Sequence, residues 1–489
     1  MAERDDVCFW SARDQLRALR EKEISARELM QATLERIAAV NPAVNAIVSL
    51  DEDRAMQAAA QADERLVNQG PDGVLHGLPM AHKDTHVSAG IRTTHGSPLH
   101  AEDVPEEDEL VVARMRQAGT VSVAKTNVPE FAAGSHSFNP IFGVTRNPYA
   151  LDRSAGGSSG GAAAALATGM LALADGSDMG GSLRNPASFC NVLGLRPSPG
   201  RVPSHPTALP WSTLGVQGPM ARDIDDLALL LSVMAGPDDR VPIALEEPGE
   251  TFAHPRAAEP AGLRVAWTTD FGGLVPVEPA VLDVLRANVQ VFESLGCEVT
   301  EATPDLSGAI ETFRTLRAWQ FQHNFADRIA AHPDKFKPSV VANAAAGRDL
   351  SGRDLSAAEA HHGVLFERMR AFFTEYDVLL APVSQVLPFD VELEYPTEVA
   401  GVPQEDYLQW MASVYVISIT GSPALSIPGG FTPDGLPVGL QIIGPHRQEK
   451  RVLEVGKMFE EATGFARQRP DIAALAAAGP LTSRWDPVR

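Results

Sequence analysis

The chain has 489 residues, 44% apolar and 21% charged, the make-up of an ordinary globular protein; at about 150 residues per domain its length suggests two or three domains. Its net charge of −22 argues against nucleic acid as the primary ligand, because such a field repels polyphosphate. Cys8, Cys190 and Cys297 are odd in number and far apart, which argues against a disulfide framework and a zinc site and suits a reducing cytoplasm.

The first residues, MAERDDVCFW, are acidic and lack an apolar core, so they do not read as a signal peptide, and no run of about 18 apolar residues suggests a membrane span. The stretch ISARELMQATLERIAAVNP predicts a helix. Ser25 and Glu28 form a capping box, Ile24 and Leu29 a hydrophobic staple, and Leu34, Ile37 and Val40 extend the apolar face until Asn41-Pro42 stops it. GLPMAHKD and TVSVAKTN predict short buried strands, with a helix over DELVVARMRQAG between them that ends at Gly119. An alanine-rich helix follows at Ala162–Ala167, then a strand in MLALADGSD. The Pro- and Glu-rich segment 236–262 reads as a surface connection. Beyond it, LRVAWT and CEVTEA read as strands on either side of an amphipathic helix in AVLDVLRANVQVFESLG. YDVLLAPV and GLPVGLQIIG are later strands, and TPDGLP is a turn between two of the late strands. This alternation is α/β texture with crossover connections, and one folded unit with a lid-like middle insertion describes it better than separate domains.

The stretch AGGSSGGAAAALATG, Ala155 to Gly169, needs explanation. No lysine follows Gly160-Gly161, so it is no P-loop, and no strand is predicted before it, so it is no dinucleotide fingerprint. Gly156 to Gly160 does match G-x-S-x-G, with Ser158 in the position of an esterase nucleophile; the missing preceding strand counts against that reading. A helix-opening loop with no catalytic role is a further alternative.

Twenty-four residues after Ser158, Ser182 closes a second glycine cluster in GSDMGGSLRNPASFCNVLGLRPSPGRVP. Upstream, Lys83 ends GLPMAHKD, where a buried strand would desolvate its amine and favour the neutral, basic form. A serine hydroxyl is a poor nucleophile without a neighbour to take its proton, and a second hydroxyl can relay that proton because it both donates and accepts. Together with AKTNVPEFAAGSHSFNPIFGVTRNPYALDRSAGGSSGGAAAALATG, GSDMGGSLRNPA and GSPALSIPGGFTPDGLPVGLQIIGP, these motifs resemble the amidase signature family of serine hydrolases over roughly residues 10 to 470.

The resemblance implies an α/β fold in a single large domain, with a central mixed β-sheet covered by helices on both faces. It implies Lys83 as general base, Ser158 as a bridging serine after a cis peptide bond, and Ser182 as nucleophile. It places the oxyanion hole on the N–H groups of Met179, Gly180, Gly181 and Ser182, and Ala132 in the acyl pocket. The chain then divides into an N-terminal helical segment (1–70), a catalytic core (71–235), the surface connection (236–262), a lid-like substrate-pocket region (263–400) and C-terminal core strands with a helix (401–470).

The expected reaction is cleavage of a small aliphatic or aryl amide, with carbamates or esters open, and with neither metal nor organic cofactor. The small-molecule amide is the expected partner, without nucleic acid or membrane; a homodimer is compatible with the sequence. Asp178 and Arg184 read as loop-stabilising residues, His82 and His86 as pocket or packing residues rather than metal ligands, and His205 as a loop residue. His82 stands where the family usually has an apolar residue, Asn191 where it often has glycine, and LRPSPGRVP replaces a more usual LKPTYGRVS. The family also contains the glutaminase component of a tRNA-dependent amidotransferase. That component carries an Asp to hold the glutamine amino group roughly ten residues before a stretch that aligns here with Gly421, where this chain has Met411. The apolar residue suits an apolar or aromatic substrate, and Trp319, Phe321, Trp410 and Tyr415 are candidate pocket aromatics for which core packing is the competing reading.

Overall fold

Eight strands form one mixed sheet in the computed structural model, which describes residues 6–487. Their order across the sheet is Glu298–Glu301, Arg264–Trp267, Val378–Pro382, Pro437–Ile443, Ala424–Phe431, Leu193–Arg196, Val216–Ala221 and Leu173–Asp178. The first five residues of the acidic N-terminal stretch lie outside the described residues. The first three strands run parallel and every later neighbour is antiparallel. A parallel pair needs a long crossover, and the predicted helix, observed at Pro279–Leu295, provides it between Arg264–Trp267 and Glu298–Glu301. Val378–Pro382 and Pro437–Ile443 are buried at every position, so both faces of the sheet centre are covered, which is why these segments read as unbroken apolar runs rather than alternating ones. Among the described residues no helix is long and apolar enough to cross a membrane.

A second sheet of three strands, Ile47–Val48, Val121–Thr126 and Pro79–Lys83, lies beside the Leu173–Asp178 edge. Pro79–Lys83 and Val121–Thr126 are parallel, joined through the helix Leu110–Gln117, with Lys83 opposite Thr126. The backbone N–H of Lys83 donates to Asp175 Oδ1 at 2.7 Å, so a side chain of the large sheet fixes the end of the strand that carries the lysine. The alanine-rich helix spans Gly160–Ala167 and is buried along its whole length, and a Cβ on its Gly161 would sit 2.2 Å from the Asn127 nitrogen.

Three expectations are corrected. The first helix keeps its capping box but does not stop at Asn41-Pro42: it runs Ala26–Val44 and ends at Asn45 in the left-handed region (φ 55°). Pro42 and Ala38, whose carbonyl loses its partner, both face solvent, whereas Ala43 and Val44 pack into the core and hold the last turn. A strand does precede the glycine-rich stretch, Ala150–Ser154, but it lies away from the central sheet, in a small hairpin with Arg146–Asn147 and an antiparallel bridge from Arg153 to Asp390. Backbone bonds with Phe389 and Val391, distant in sequence, help make a strand out of a Pro-flanked sequence. Finally, the segment 263–400 is not only a lid-like insertion: it supplies three of the eight central strands, while its helix Ala309–Ala331 brings Phe313, Arg317 and Phe321 to the cavity that holds Ser182.

Candidate active site

Lys83 is fully buried at the C-terminal end of its strand. Its Nζ donates to Ser158 Oγ at 2.8 Å and to Ser177 Oγ at 3.0 Å. Burial pushes the amine down from 10.5 to about 7, against the opposing pull of the Asp178 and Asp175 carboxylates. Near neutral pH the lysine is therefore poised between acid and base.

Ser158 follows a cis Gly157–Ser158 peptide and is fully buried. Ser182 lies on the turn after strand Leu173–Asp178, and the N–H of Ser159 donates to its carbonyl at 3.1 Å, which holds the two serine-bearing segments together. Ser158, Ser177 and Ser182 open into one cavity of about 330 Å³, at the small end of ligand pockets. Phe131, Ala132, Phe313, Phe321, Leu408 and Met411 give it apolar walls.

The turn carrying Ser182 is built around Asp178. Its carboxylate accepts from the N–H of Gly181 at 2.8 Å and of Leu183 at 3.2 Å, and from Arg184 Nε and Nη2, both at 3.0 Å. Arg196 adds bonds to its carbonyl and carboxylate. Burial alone would raise the Asp178 carboxyl, but Arg184, Arg196 and the backbone donors outweigh it and hold the group well below the usual carboxylate range. Gly181 has φ 101°, and a Cβ there would sit 2.3 Å from Val414 Cγ2, so no other residue fits this turn. One oxyanion expectation is corrected here: the Gly181 N–H is taken up by Asp178, whereas those of Met179, Gly180 and Ser182 meet no acceptor outside the regular strands among the described residues.

Of the other predicted residues, Ala132 lines the cavity in a left-handed conformation (φ 56°). Met411 lines it too, and Phe321 is the one predicted aromatic that reaches it. Trp319 lines a separate, larger cavity of about 1280 Å³. Trp410 is core, packed on Phe189 and Phe389, and Tyr415 stacks behind Phe313 with ring centroids 4.4 Å apart. His82 and His86 stay outside the cavity. His82 Nδ1 is 2.5 Å from Asp175 Oδ2 and its Nε2 is 2.8 Å from Ser122 Oγ, while His86 bonds Glu109. Asn191 occupies the left-handed region (φ 54°), the conformation that favours glycine, and its amide binds the carbonyls of Phe465 and Gln468, away from the chemistry. His205 precedes the cis Pro206, which lines the cavity.

The sequence reading missed Ser177, Phe313, Arg317 and Leu408. Strand alternation carried the signal for Ser177: it shares a face with Asp175, and the two side chains take the Nζ and the N–H of Lys83 respectively.

A family model described as Amidase matches residues 28–453. The acylamidase of Rhodococcus erythropolis is 34% identical over 473 residues, 96% of this chain and 98% of that protein. A glutamyl-tRNA(Gln) amidotransferase component from Marinomonas sp. (strain MWYL1) is 32% identical over 482 residues, 93% of this chain and 97% of its own. Among solved structures, a bacterial aryl acylamidase of the amidase signature enzymes matches with a TM-score of 0.88 and 28% identity, covering 97% of this chain and 99% of that one. The 6-aminohexanoate cyclic dimer hydrolase, solved with its substrate, matches with a TM-score of 0.84 and 27% identity over 95% of this chain and 99% of that one. With the lysine, the two serines and the glycine turn set in this fold, the chain belongs to the amidase family.

Proposed function

We propose that the chain hydrolyses the C–N bond of a small aliphatic or aryl amide through an acyl-enzyme on Ser182. The observation that carries this reading is the 2.8 Å bond from Lys83 Nζ to Ser158 Oγ, inside the cavity that Ser182 shares. Ser182 Oγ attacks the carbonyl carbon while its proton passes to Ser158 Oγ, and the Ser158 proton passes to neutral Lys83 Nζ. Negative charge on the carbonyl oxygen is met by the N–H groups of Met179, Gly180 and Ser182. The tetrahedral adduct collapses and the amine leaves with a proton returned along the same relay; water then attacks the ester with the relay again taking a proton, and the second adduct expels Ser182 Oγ, which takes that proton back as the acid leaves. The same steps serve carbamates and esters. Three buried free thiols suit the reducing cytoplasm, and the small amide is the only partner the reaction needs.

Amidotransferase components are also among the relatives. Met411 in the cavity wall speaks for the simple hydrolase, because a thioether cannot hold a substrate ammonium. Two measurements test the reading. A fluorophosphonate should label Ser182, located by peptide mass spectrometry; label on Ser158 with Ser182→Ala still active would support the esterase elbow instead. Purified protein should release amine from a panel of simple amides, and glutamine hydrolysis that requires a partner and tRNA would favour the amidotransferase role.

A further inference from the structure

Helix Ala309–Ala331 turns three side chains into the catalytic cavity at four-residue spacing: Phe313, Arg317 and Phe321. The middle one is a cation between two aromatic rings of the same helix face. Arg317 is only 5% exposed, and its guanidinium lies over the Phe321 ring, 3.8 Å from the centroid. Its hydrogen-bond partners among the described residues are the Tyr407 hydroxyl and Met179 Sδ, the latter at 4.0 Å, and neither carries a charge. A guanidinium has five N–H donors, so donors remain for a ligand. The neighbouring guanidiniums are matched: Arg314 pairs with Asp406, and Arg184 with Asp178. A buried cation without an ion pair of its own is costly, and an anion bound beside it offsets that cost.

We propose that Arg317 binds a carboxylate on the substrate, so that the preferred amides are those carrying an anionic group. The proposal rests on the amidase reading above and names its substrate class. A carboxylate matches the planar fork of a guanidinium, and Tyr407 and Phe321 fix the plane of that fork before the ligand arrives. Phe131, Phe313, Leu408 and Met411 line the same cavity, so the linker between the amide and the carboxylate is aliphatic or aryl. The net charge of −22 repels anions at long range, but the cavity itself is locally positive: Asp178 already faces two guanidiniums, and Arg317 makes no ion pair of its own, since the acid near it, Asp406, is paired with Arg314.

Matched substrates test this. Adipamate against hexanamide, and 4-carbamoylbenzoate against benzamide, place the anion on the acyl side; 4-acetamidobenzoate against acetanilide places it on the amine side. In the wild type at least one pair should favour the anion in kcat/KM by about 10- to 100-fold, the size of one charged hydrogen-bonded contact. Arg317→Met should bring that ratio to about one, and Arg317→Lys should retain part of it; the ratio within each variant cancels any general loss of activity. Equal or better turnover of the neutral member in all three pairs, or a ratio that survives Arg317→Met, overturns the proposal. Should no amide be turned over, the amidase reading fails, and calorimetry still decides on Arg317. Adipate or 4-carbamoylbenzoate binding to Ser182→Ala and not to Ser182→Ala/Arg317→Met supports the anion site, and no binding to Ser182→Ala overturns it. Melting curves establish that each variant is folded, and if Arg317→Met is not, Arg317→Lys carries the comparison through a reduced ratio.

Discussion

Lys83 owes its chemistry to where its strand ends. A lysine in water is protonated at neutral pH; here burial brings the amine to about 7, and Ser158 and Ser177 hold it in line. Only the neutral amine accepts a proton, so kcat/KM should rise with pH through about 7 and fall on the acid side, where the lysine is protonated; a rate profile from pH 5.5 to 9 measures this. Lys83→Arg keeps the charge but does not give up its proton at these pH values. It should lose about 10²–10⁴ in kcat, as badly as Lys83→Ala, while its circular dichroism is unchanged. His205→Ala should stay active, and loss of activity there with a functional Lys83→Ala would reverse the assignment of the base. The sequence pointed to the lysine, both serines and the glycine pair through long motifs that resemble a known family, although Lys83 lies 75 positions before Ser158. Arg317 and Phe313 were not legible in it, since a helix brings them to the site from more than a hundred positions away and nothing in their local sequence distinguishes them from packing residues.

At the scale of elements, the turn from strand Leu173–Asp178 into Ser182 is closely constrained backbone. Gly181 combines a left-handed φ of 101° with the close approach of Val414. Gly435, in the turn between Ala424–Phe431 and Pro437–Ile443, has φ 82° and open space around it. Gly435→Ala should therefore cost only the left-handed penalty, about 1–2 kcal/mol by denaturant titration, and leave activity intact. Gly181→Ala should cost more than that and also lose about 10²–10³ in kcat, because moving this turn misplaces the neighbouring N–H donors. Equal behaviour of the two variants would show that the turn tolerates a side chain. Most strands and helices could be read from periodicity and caps. The exceptions share a cause: Pro42 is carried by the packing of Ala43 and Val44, Ala150–Ser154 by its bridge to Asp390 as well as its hairpin, and the predicted strands within 263–400 take their place in the central sheet from neighbours distant in sequence. In each case tertiary contact overrules what a short window can express.

At the scale of the whole molecule, one cluster of buried acids bears on stability. Near the start of helix Ile224–Met234, Asp226 accepts from the N–H groups of Ala12 at 2.6 Å and Arg13 at 3.1 Å, and Glu460 accepts from that of Ile224. Burial first, and the nearby Asp223 carboxylate second, raise Asp226 to about 7 and Glu460 to about 8. Both groups bind protons more tightly in the folded protein than in the unfolded chain. Their contribution is full below about pH 4, the ordinary carboxylate value, and is lost as pH rises through 7 to 8. The melting temperature should therefore be higher at pH 5.5 than at pH 8.5, with Glu460→Gln narrowing the difference; a flat profile would remove this cluster as the cause. Activity and stability then pull in opposite directions across neutrality, since Lys83 works best where these acids are least comfortable. The Ser182 turn has one more consequence. Arg184, which clamps Asp178, is itself held by the Val414 carbonyl, Ser418 and Gln441, the last 257 positions further along the chain. A polypeptide emerging from the ribosome thus presents its nucleophile long before the clamp exists, and the growing chain stays harmless to cellular amides until its closing strands have been synthesised.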